Sequence, residues 1–141
     1  IISKRRTNPI QTTKQLSEII EQAVKGKFVI KSKARIFQAL RIEVNNELKS
    51  IEKCLNDAVT IMKSGARLVV LSYHSLEDRI VKNFIKECEK ECICPPQVLK
   101  CVCNKKATLR NITRKPIIAG DNEITLNNRA RSVKMRIAEK I

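Results

Sequence analysis

The fold of this chain is decided by residues 67–82, which read RLVVLSYHSLEDRIVK. Leu68 to Leu71 form an unbroken apolar run, which predicts a parallel strand that is covered on both faces. Ser75 and Asp78 have the spacing of an N-terminal capping box, so a helix is predicted to begin directly after the strand. Apolar residues then recur at helical spacing, at Leu76, Ile80, Val81, Phe84, Ile85 and Cys88.

Polar residues stand where the predicted strand stops, and they are candidate site residues. In open α/β sheets, ligands bind in the crevice beyond the carboxyl ends of the strands. His74 is the only histidine of the chain and Ser75 follows it, so the pair is predicted to contact a substrate. The alternative is a helix-entry histidine that is bonded only to nearby backbone. A Ser/His nucleophilic mechanism is not indicated, because no nucleophile elbow and no third member are visible.

Two helices are predicted before this stretch. Thr12 and Gln15 have capping-box spacing at the start of an amphipathic helix over residues 12–24. A long helix is predicted over residues 34–63, because apolar residues step along it by three or four without a break. This apolar stripe is expected to pack against a sheet, which gives the α-β-α order of a doubly wound fold.

The remainder of the chain is predicted to add strands. Residues 107–118 are a weaker strand candidate, in which Pro116 marks an end or an edge position. Residues 132–138 alternate between apolar and basic side chains, which predicts a half-buried antiparallel strand at the edge of the sheet. The apolar face comprises Val133, Met135 and Ile137, and the opposite face comprises Lys134 and Arg136.

The net charge of +15 is confined to the two ends of the chain. Residues 1–35 carry +7 and residues 100–141 carry +8, whereas residues 36–99 are balanced. Concentrated positive charge favours a polyanion partner through phosphate neutralisation and counterion release. A generally lysine-rich composition is the alternative. Because the excess is segregated by region, the sequence predicts binding to nucleic acid.

Length and composition set the broad class. With 141 residues, of which 43% are hydrophobic and 3% aromatic, the chain can build one core made mostly of Ile, Leu and Val. No apolar run approaches the ~20 residues that span a bilayer. The start of the chain has no apolar signal-peptide segment. We therefore expect a cytoplasmic location and no membrane partner.

Four of the six cysteines form two closely spaced pairs. One residue separates Cys92 from Cys94, and one separates Cys101 from Cys103. Four thiolates on a tight loop could bind Zn²⁺ tetrahedrally, although the spacing is not the usual C-x₂-C. Free thiols and disulfides are the alternatives, and a cytosolic context disfavours disulfides. Cys54, inside the long helix, is expected to be a packed core thiol.

Three blocks of sequence resemble the MraW/RsmH family of bacterial methyltransferases. The stretch 67–82 is similar to the C-terminal signature of that family, with Leu71 and Tyr73 in place of the usual Ile and Phe. Residues 37–48, FQALRIEVNNEL, resemble a helical block of the family, and residues 128–139, NRARSVKMRIAE, resemble its final strand. The three blocks stand in the expected order.

The resemblance implies S-adenosylmethionine-dependent methylation of the N4 of a cytidine in small-subunit (16S) rRNA. The implied fold is α/β, a partial class I (Rossmann-like) methyltransferase sheet preceded by the tail of an inserted helical domain. Residues 1–33 would end the inserted domain and its linker. Residues 34–141 would form the C-terminal half of the methyltransferase domain, with a Cys-rich loop at 88–106.

The cofactor loop of such an enzyme is not recognisable in this chain. Class I methyltransferases open with a Gly-rich turn that lets the cofactor approach the backbone closely, but Gly26, Gly65 and Gly120 stand far apart. No residue of the chain is therefore assigned to cofactor binding. The chain therefore resembles the C-terminal half of such an enzyme, as a fragment, a truncated product or one part of a split protein, and we expect it to be inactive alone.

The implied partner is small-subunit rRNA or the 30S ribosomal particle, and His74 and Ser75 would hold the cytidine. Candidate RNA-binding residues are basic side chains on the helices, beside the Cys-rich loop and before the last strand, namely Arg41, Arg79, Arg110, Arg114, Lys115, Arg129 and Arg131. Intramolecular ion pairs are the alternative for several of them.

Other functional interpretations stay open at this point. The runner-up is a non-catalytic RNA-binding module with a Cys₄ zinc loop, and an inert truncation product is a third. The oligomeric state, a homodimer included, is not decided by the sequence.

Overall fold

The computed structural model describes residues 1–24, 26–95 and 100–141. They form two compact units, Ile1–Glu47 and Leu48–Ile141. The sequence placed a domain boundary after residue 33, and the assignment of the first part to an inserted helical domain stays a prediction. In the part of the chain that the structure describes, no helix has the length and apolar character to cross a membrane.

The first unit is helical. Its helices are α1 (Ile2–Thr7), α2 (Thr13–Ala23) and α3 (Val29–Val44), and a 3-10 turn spans Gly26–Phe28. The predicted capping box begins α2: the Thr12 hydroxyl accepts from the Gln15 N–H at 3.2 Å, and Gln15 Oε1 accepts from the Thr12 N–H at 3.1 Å.

The prediction of one long helix over 34–63 is wrong in one respect, because two separate helices occupy this range. After α3 the helix stops at Asn45 and Asn46, and α4 (Glu47–Ile61) begins beyond them. Asn46 has a φ of 51°, in the left-handed region that asparagine tolerates better than most residues. The break divides the apolar stripe, so that Leu55 is buried in α4 whereas Val44 is exposed in α3.

The second unit is a small sheet with helices. It continues with β1 (Arg67–Ser72), α5 (Ser75–Glu89), β2 (Leu109–Asn111), β3 (Ile117–Ile118), α6 (Asp121–Leu126), a 3-10 turn (Asn128–Ser132) and β4 (Lys134–Lys140). β4 pairs antiparallel with all three other strands. It lies between β1 and β2, and Met135 pairs both with Leu71 of β1 and with Ile117 of β3.

Two strand predictions need correction. β1 was predicted to be parallel and covered on both faces, but its only strand partner among the described residues is the antiparallel β4. Burial alternates along β1, with Val69 and Leu71 49% and 53% exposed. β4 was predicted at the edge of the sheet, but it is internal because β2 and β3 pair with its far side. The candidate at 107–118 forms two short strands.

The buried face of β4 is the opposite of the predicted one. Arg136 and Ala138 are buried, whereas Met135 and Ile137 are only half-buried. Helices α4 and α5 cover the face that carries Arg136 and Ala138. The core on this face comprises Leu55, Val59, Val81, Ile85, Leu109 and Ala138, with Leu68 and Val70 packed against it.

A buried ion pair explains why an arginine occupies the core face. Arg136 Nε donates to Asp78 Oδ1 at 2.6 Å, and Lys134 Nζ lies 3.5 Å from Asp78 Oδ2. The side chains of Asp78 and Arg136 are 10% and 8% exposed. A buried carboxylate and a buried guanidinium are tolerated because each satisfies the other. The pair fixes the first turn of α5 to the internal strand.

We predict that Asp78→Asn lowers the free energy of unfolding by about 3 kcal/mol, because it leaves the Arg136 charge buried without its counter-ion. Asp57→Asn is the matched control, since Asp57 pairs with Lys53 on the exposed surface of α4. Urea denaturation measures both variants. Equal, small losses in the two would contradict a stabilising role for the buried pair.

The contribution of the Asp78–Arg136 pair to the free energy of unfolding depends on pH. The hydrogen bond from Arg136 is the largest influence on Asp78 and holds the pKa of its carboxyl below its ordinary value of 3.8. The stabilisation is therefore complete above about pH 4 and is lost as the pH falls through the lowered pKa. The parent chain should lose stability in that acidic range, and Asp78→Asn should lose less.

Candidate functional site

The turn from β1 into α5 is built by a capping box, one residue earlier than predicted. His74, not Ser75, is the N-cap, and its Nδ1 accepts from the Glu77 N–H at 3.4 Å. Glu77 Oε2 accepts in return from the N–H groups of Tyr73 and His74, at 2.8 and 3.2 Å. The predicted partner at the third helical position was Asp78, but that carboxylate is turned to Arg136.

The cap constrains what His74 can do. Its side chain is 15% exposed, and Nε2 lies 3.2 Å from Glu77 Oε1 without the geometry of a hydrogen bond. Because Nδ1 accepts a hydrogen bond, the proton of a neutral imidazole lies on Nε2. The structure therefore gives His74 the helix-entry role. Ser75 and Tyr73 are exposed beside it, and a contact of His74 or Ser75 with substrate stays a prediction.

The strand register places further basic residues near this turn. Ser72, the last residue of β1, pairs with Lys134, the first residue of β4. We call the end of the sheet where these two residues lie, beyond the carboxyl end of β1, the carboxyl edge. Arg129 and Arg131 lie in the 3-10 turn that leads into β4, so they reach the same edge.

Arg129 and Arg131 are directed outward by the residue between them. Ala130 is buried, and its N–H and carbonyl hold the turn through bonds to Asn127 and Val133, at 2.9 and 3.0 Å. Both arginines are exposed, as is Arg79 in the first turn of α5. Among the described residues none of these three arginines forms an ion pair. Arg129 and Arg131 are thus the predicted RNA-binding residues that share one turn, and Arg79 lies in α5.

The other predicted RNA-binding residues lie elsewhere. Arg110 Nη2 donates to Glu139 Oε1 at 2.6 Å, near the end of β4 and thus on the side of the sheet opposite the carboxyl edge. Arg41 donates twice to Glu47, at 2.8 and 3.2 Å. Arg110 and Arg41 therefore hold intramolecular partners, an alternative that the sequence analysis had left open for Arg41 but not for Arg110.

Arg114 and Lys115 follow β2 and are exposed. Arg114 lines a cavity of about 320 Å³ together with Lys82 and Lys86 of α5. The sequence assigned no role to these two lysines. They stand four residues apart, which places them on one face of α5.

The sequence also missed the ion pair between Asp78 and Arg136. A signal was present, because Asp78, Val81 and Ile85 are spaced for one face of α5, and the two apolar members mark that face as buried. A carboxylate on a buried helical face requires a cation partner. Arg136 supplies it from the strand face that the alternation had assigned to solvent.

The four paired cysteines come together in one cluster. We call Cys92, Cys94, Cys101 and Cys103 the cysteine cluster, and their sulfur atoms all lie within 4.8 Å of one another. All six cysteines of the chain are free thiols. Cys54, expected in the core, is exposed.

Backbone N–H groups point at the sulfur atoms of the cluster. The Ile93 N–H donates to Cys103 Sγ at 3.4 Å, and together with the Lys105 N–H it lowers the pKa of the Cys103 thiol to about 6. The Cys94 N–H acts in the same direction on Cys92, but hydrogen bonds with the Cys101, Cys94 and Cys103 thiols raise the pKa of Cys92 to about 12.

The cysteine cluster is remote from the turn at His74. The two lie beyond opposite ends of α5, whose 15 residues correspond to a length of about 22 Å at 1.5 Å per residue. The described residues therefore form two separate candidate sites, one at each end of the helix.

Comparison with known proteins places this arrangement in a family. The chain is 48% identical over its whole length to the ribosomal RNA small subunit methyltransferase H of Clostridioides difficile, of which it covers 46%. It is 50% identical to the protein of the same name from Dehalococcoides mccartyi, of which it covers 40%. The chain thus spans less than half the length of these curated relatives. Residues 1–141 match the MraW methylase family, and the chain belongs to that family.

Proposed function

We propose that this chain is the C-terminal part of an S-adenosylmethionine-dependent methyltransferase that modifies the N4 of a cytidine in small-subunit rRNA. The observation that carries the proposal is the family match over the entire chain. Relatives that share 48% and 50% of its residues are named ribosomal RNA small subunit methyltransferase H. The chain supplies the carboxyl edge and its basic residues, and small-subunit rRNA or the 30S particle is the proposed partner.

The strand arrangement supports a class I, Rossmann-like sheet. β1 and β2 are both antiparallel to β4, so they run parallel to each other on its two sides. β1 leads directly into α5, which packs back on the sheet. An antiparallel strand inserted beside parallel ones is common in doubly wound folds.

The sheet also has the features of one half of a larger sheet. Val69 and Leu71 are exposed on the face opposite α4 and α5, next to the half-buried Met135 and Ile137. β1 carries no strand partner on its outer edge among the described residues. A soluble domain rarely leaves both an apolar sheet face and a neighbouring strand edge uncovered. An N-terminal half of the same enzyme is the proposed cover.

The cofactor would belong to that other half. The cofactor loop of a class I methyltransferase is built from glycines that stand close together, but Gly26, Gly65 and Gly120 are far apart in the sequence and lie in separate turns. The residues present do not fit S-adenosylmethionine, and we assign this chain no step that depends on it.

The isolated chain should accordingly bind S-adenosylmethionine weakly or not at all. Isothermal titration calorimetry on the chain measures this directly, and the longer protein that contains the N-terminal half is the positive control. Low-micromolar affinity in the isolated chain would contradict the assignment of the cofactor to the missing half.

The carboxyl edge is suited to positioning a nucleobase. Methylation at N4 requires the cytosine amine to be aimed in line at an electrophilic methyl group, so orientation supplies much of the rate. A base in structured RNA must first leave its stack. Tyr73 offers an exposed aromatic ring and Ser75 an exposed hydroxyl at this edge. His74 acts as a positioning residue, because its capping bonds set the direction of both neighbours.

His74→Ala should lower methyl transfer in the longer enzyme and destabilise it by about 1 kcal/mol, since it removes an N-cap acceptor. His74→Asn is the matched variant, because asparagine is a strong N-cap that lacks the imidazole ring. We expect His74→Asn to restore both stability and turnover. Restored stability without restored turnover would show that the imidazole itself contacts the base and would refute the positioning role.

RNA binding is proposed to depend on the unpaired arginines of the carboxyl edge. Replacement of both Arg129 and Arg131 by glutamine should weaken binding to small-subunit rRNA and reduce the slope of log K against log salt by about 2, because two phosphate contacts are lost. Filter binding over a series of salt concentrations provides the measurement.

The double variant Arg67→Gln with Arg110→Gln is the matched control. It removes the same charge, but both side chains flank Glu139 on the opposite side of the sheet, at 3.9 and 2.6 Å. We expect a smaller change in the salt slope. An equal change in both double variants would point to a general effect of net charge and would contradict an RNA site at the carboxyl edge.

A further inference from the structure

The cysteine cluster has the dimensions of a tetrahedral site for one metal ion. Zinc–sulfur bonds of ≈ 2.3 Å place the sulfur atoms of a four-thiolate site about 3.8 Å apart. Cys101 Sγ lies 3.5 Å from Cys92 Sγ, 4.0 Å from Cys94 Sγ and 3.5 Å from Cys103 Sγ. Cys103 Sγ lies 3.8 Å from Cys92 Sγ. The observed sulfur–sulfur separations thus lie close to, and on both sides of, the separation expected for tetrahedral coordination.

The surroundings of the sulfur atoms favour bound thiolates. The N–H groups of Ile93, Cys94 and Val102 donate to Cys103, Cys92 and Cys94 Sγ, at 3.4 to 3.5 Å. Hydrogen bonds from the backbone to metal-binding sulfur atoms orient the ligands and stabilise their charge. After Cys103, Asn104 adopts a φ of 49°, which turns the chain away from the cluster.

Disulfides do not account for this geometry. Bonded sulfur atoms lie ≈ 2.05 Å apart, well below the observed separations. Two disulfides would also divide the cysteines into pairs, whereas Cys101 approaches all three others. An iron–sulfur cluster spreads its four thiolates over two or more iron atoms, so their sulfur atoms would not all lie as close together as around a single ion.

Core packing does not account for it either. Cys92 and Cys101 are exposed, and the apolar neighbours Ile93 and Val102 are 59% and 74% exposed. The described residues of the loop therefore contribute little hydrophobic core. Segments that cannot bury enough apolar surface are commonly held by a metal ion or a disulfide.

We propose that Cys92, Cys94, Cys101 and Cys103 bind one Zn²⁺ ion as a structural four-thiolate site. Four protein ligands leave no open coordination position, so the ion would have no catalytic role. The site follows the last turn of α5, whereas His74 precedes its first turn. Its role is to close the loop between α5 and β2.

The closed loop presents a basic surface. Thr108 N–H donates to the Cys88 carbonyl and Lys105 Nζ to the Glu87 carbonyl, both at 2.8 Å, which ties the base of the loop to the last turn of α5. Lys100 and Lys106 are exposed on either side of the second cysteine pair. Four thiolates around Zn²⁺ carry a net charge of −2, which neighbouring lysines stabilise.

Metal analysis of the chain, purified under reducing conditions with Zn²⁺ supplied, tests the site. We expect about one equivalent of zinc per chain. Cys101→Ser should lose it, because Cys101 contacts the other three cysteines. Cys54→Ser is the matched control outside the cluster and should retain it. Substitution by Co²⁺ should give the visible absorption of tetrahedral thiolate coordination in the parent chain and in Cys54→Ser only.

Amide hydrogen exchange tests the structural role of the ion. Removal of the ion by a chelator should accelerate amide hydrogen exchange at residues 92–95 and 100–103, and leave the exchange of β1 unchanged. Absence of metal in the reduced chain, iron in place of zinc, or an equal zinc content in Cys101→Ser would each overturn the proposal. Unchanged exchange after zinc removal would overturn the assigned role.

Discussion

The ion pair between Asp78 and Arg136 is the interaction on which the second unit depends. It connects the first turn of α5 with the internal strand β4, across the core that these elements enclose. Burial of two charges costs desolvation energy that the pair recovers only with good geometry. The 2.6 Å hydrogen bond and the second contact at 3.3 Å provide that geometry. A non-directional apolar contact would hold the helix on the sheet, but it would not fix the helix start in register with the strand end.

That register determines the chemistry available at the carboxyl edge. With Asp78 committed to Arg136, the carboxylate left to close the helix is Glu77, and the capping box moves to His74. The imidazole of His74 then faces the helix cap, and Tyr73 and Ser75 are the exposed residues on either side of it. The backbone pairing of Ser72 with Lys134 holds the start of β4 beside the end of β1, which brings Arg129 and Arg131 to this edge.

The sequence predicted the local secondary structure well, but it predicted poorly which face of an element is buried. The capping box of α2, the strand that turns into α5 and the antiparallel β4 follow from spacing, and all are present. The exposed face of β4 was predicted wrongly, because alternation assigns basic residues to solvent and cannot detect a partner 58 residues away. The break at Asn46 escaped the same reasoning, since hydrophobic periodicity persists across a residue whose backbone leaves the helix. The four cysteines were recognised as a group, but only the fold shows that their sulfur atoms share one centre.

Helix α5 separates the carboxyl edge from the cysteine cluster, although the two lie close together in the sequence. Its first turn is tied to the sheet by the ion pair between Asp78 and Arg136, which also holds the preceding turn at His74 in place. Its last turn forms no buried ion pair among the described residues. There the carbonyls of Glu87 and Cys88 and the carboxylate of Glu89 accept hydrogen bonds from the returning chain. Beyond these bonds, the described apolar side chains next to the cysteines, Ile93 and Val102, are exposed and add little packing. A four-thiolate centre at the cysteine cluster would add a constraint there without disturbing the carboxyl edge, since α5 lies between the two.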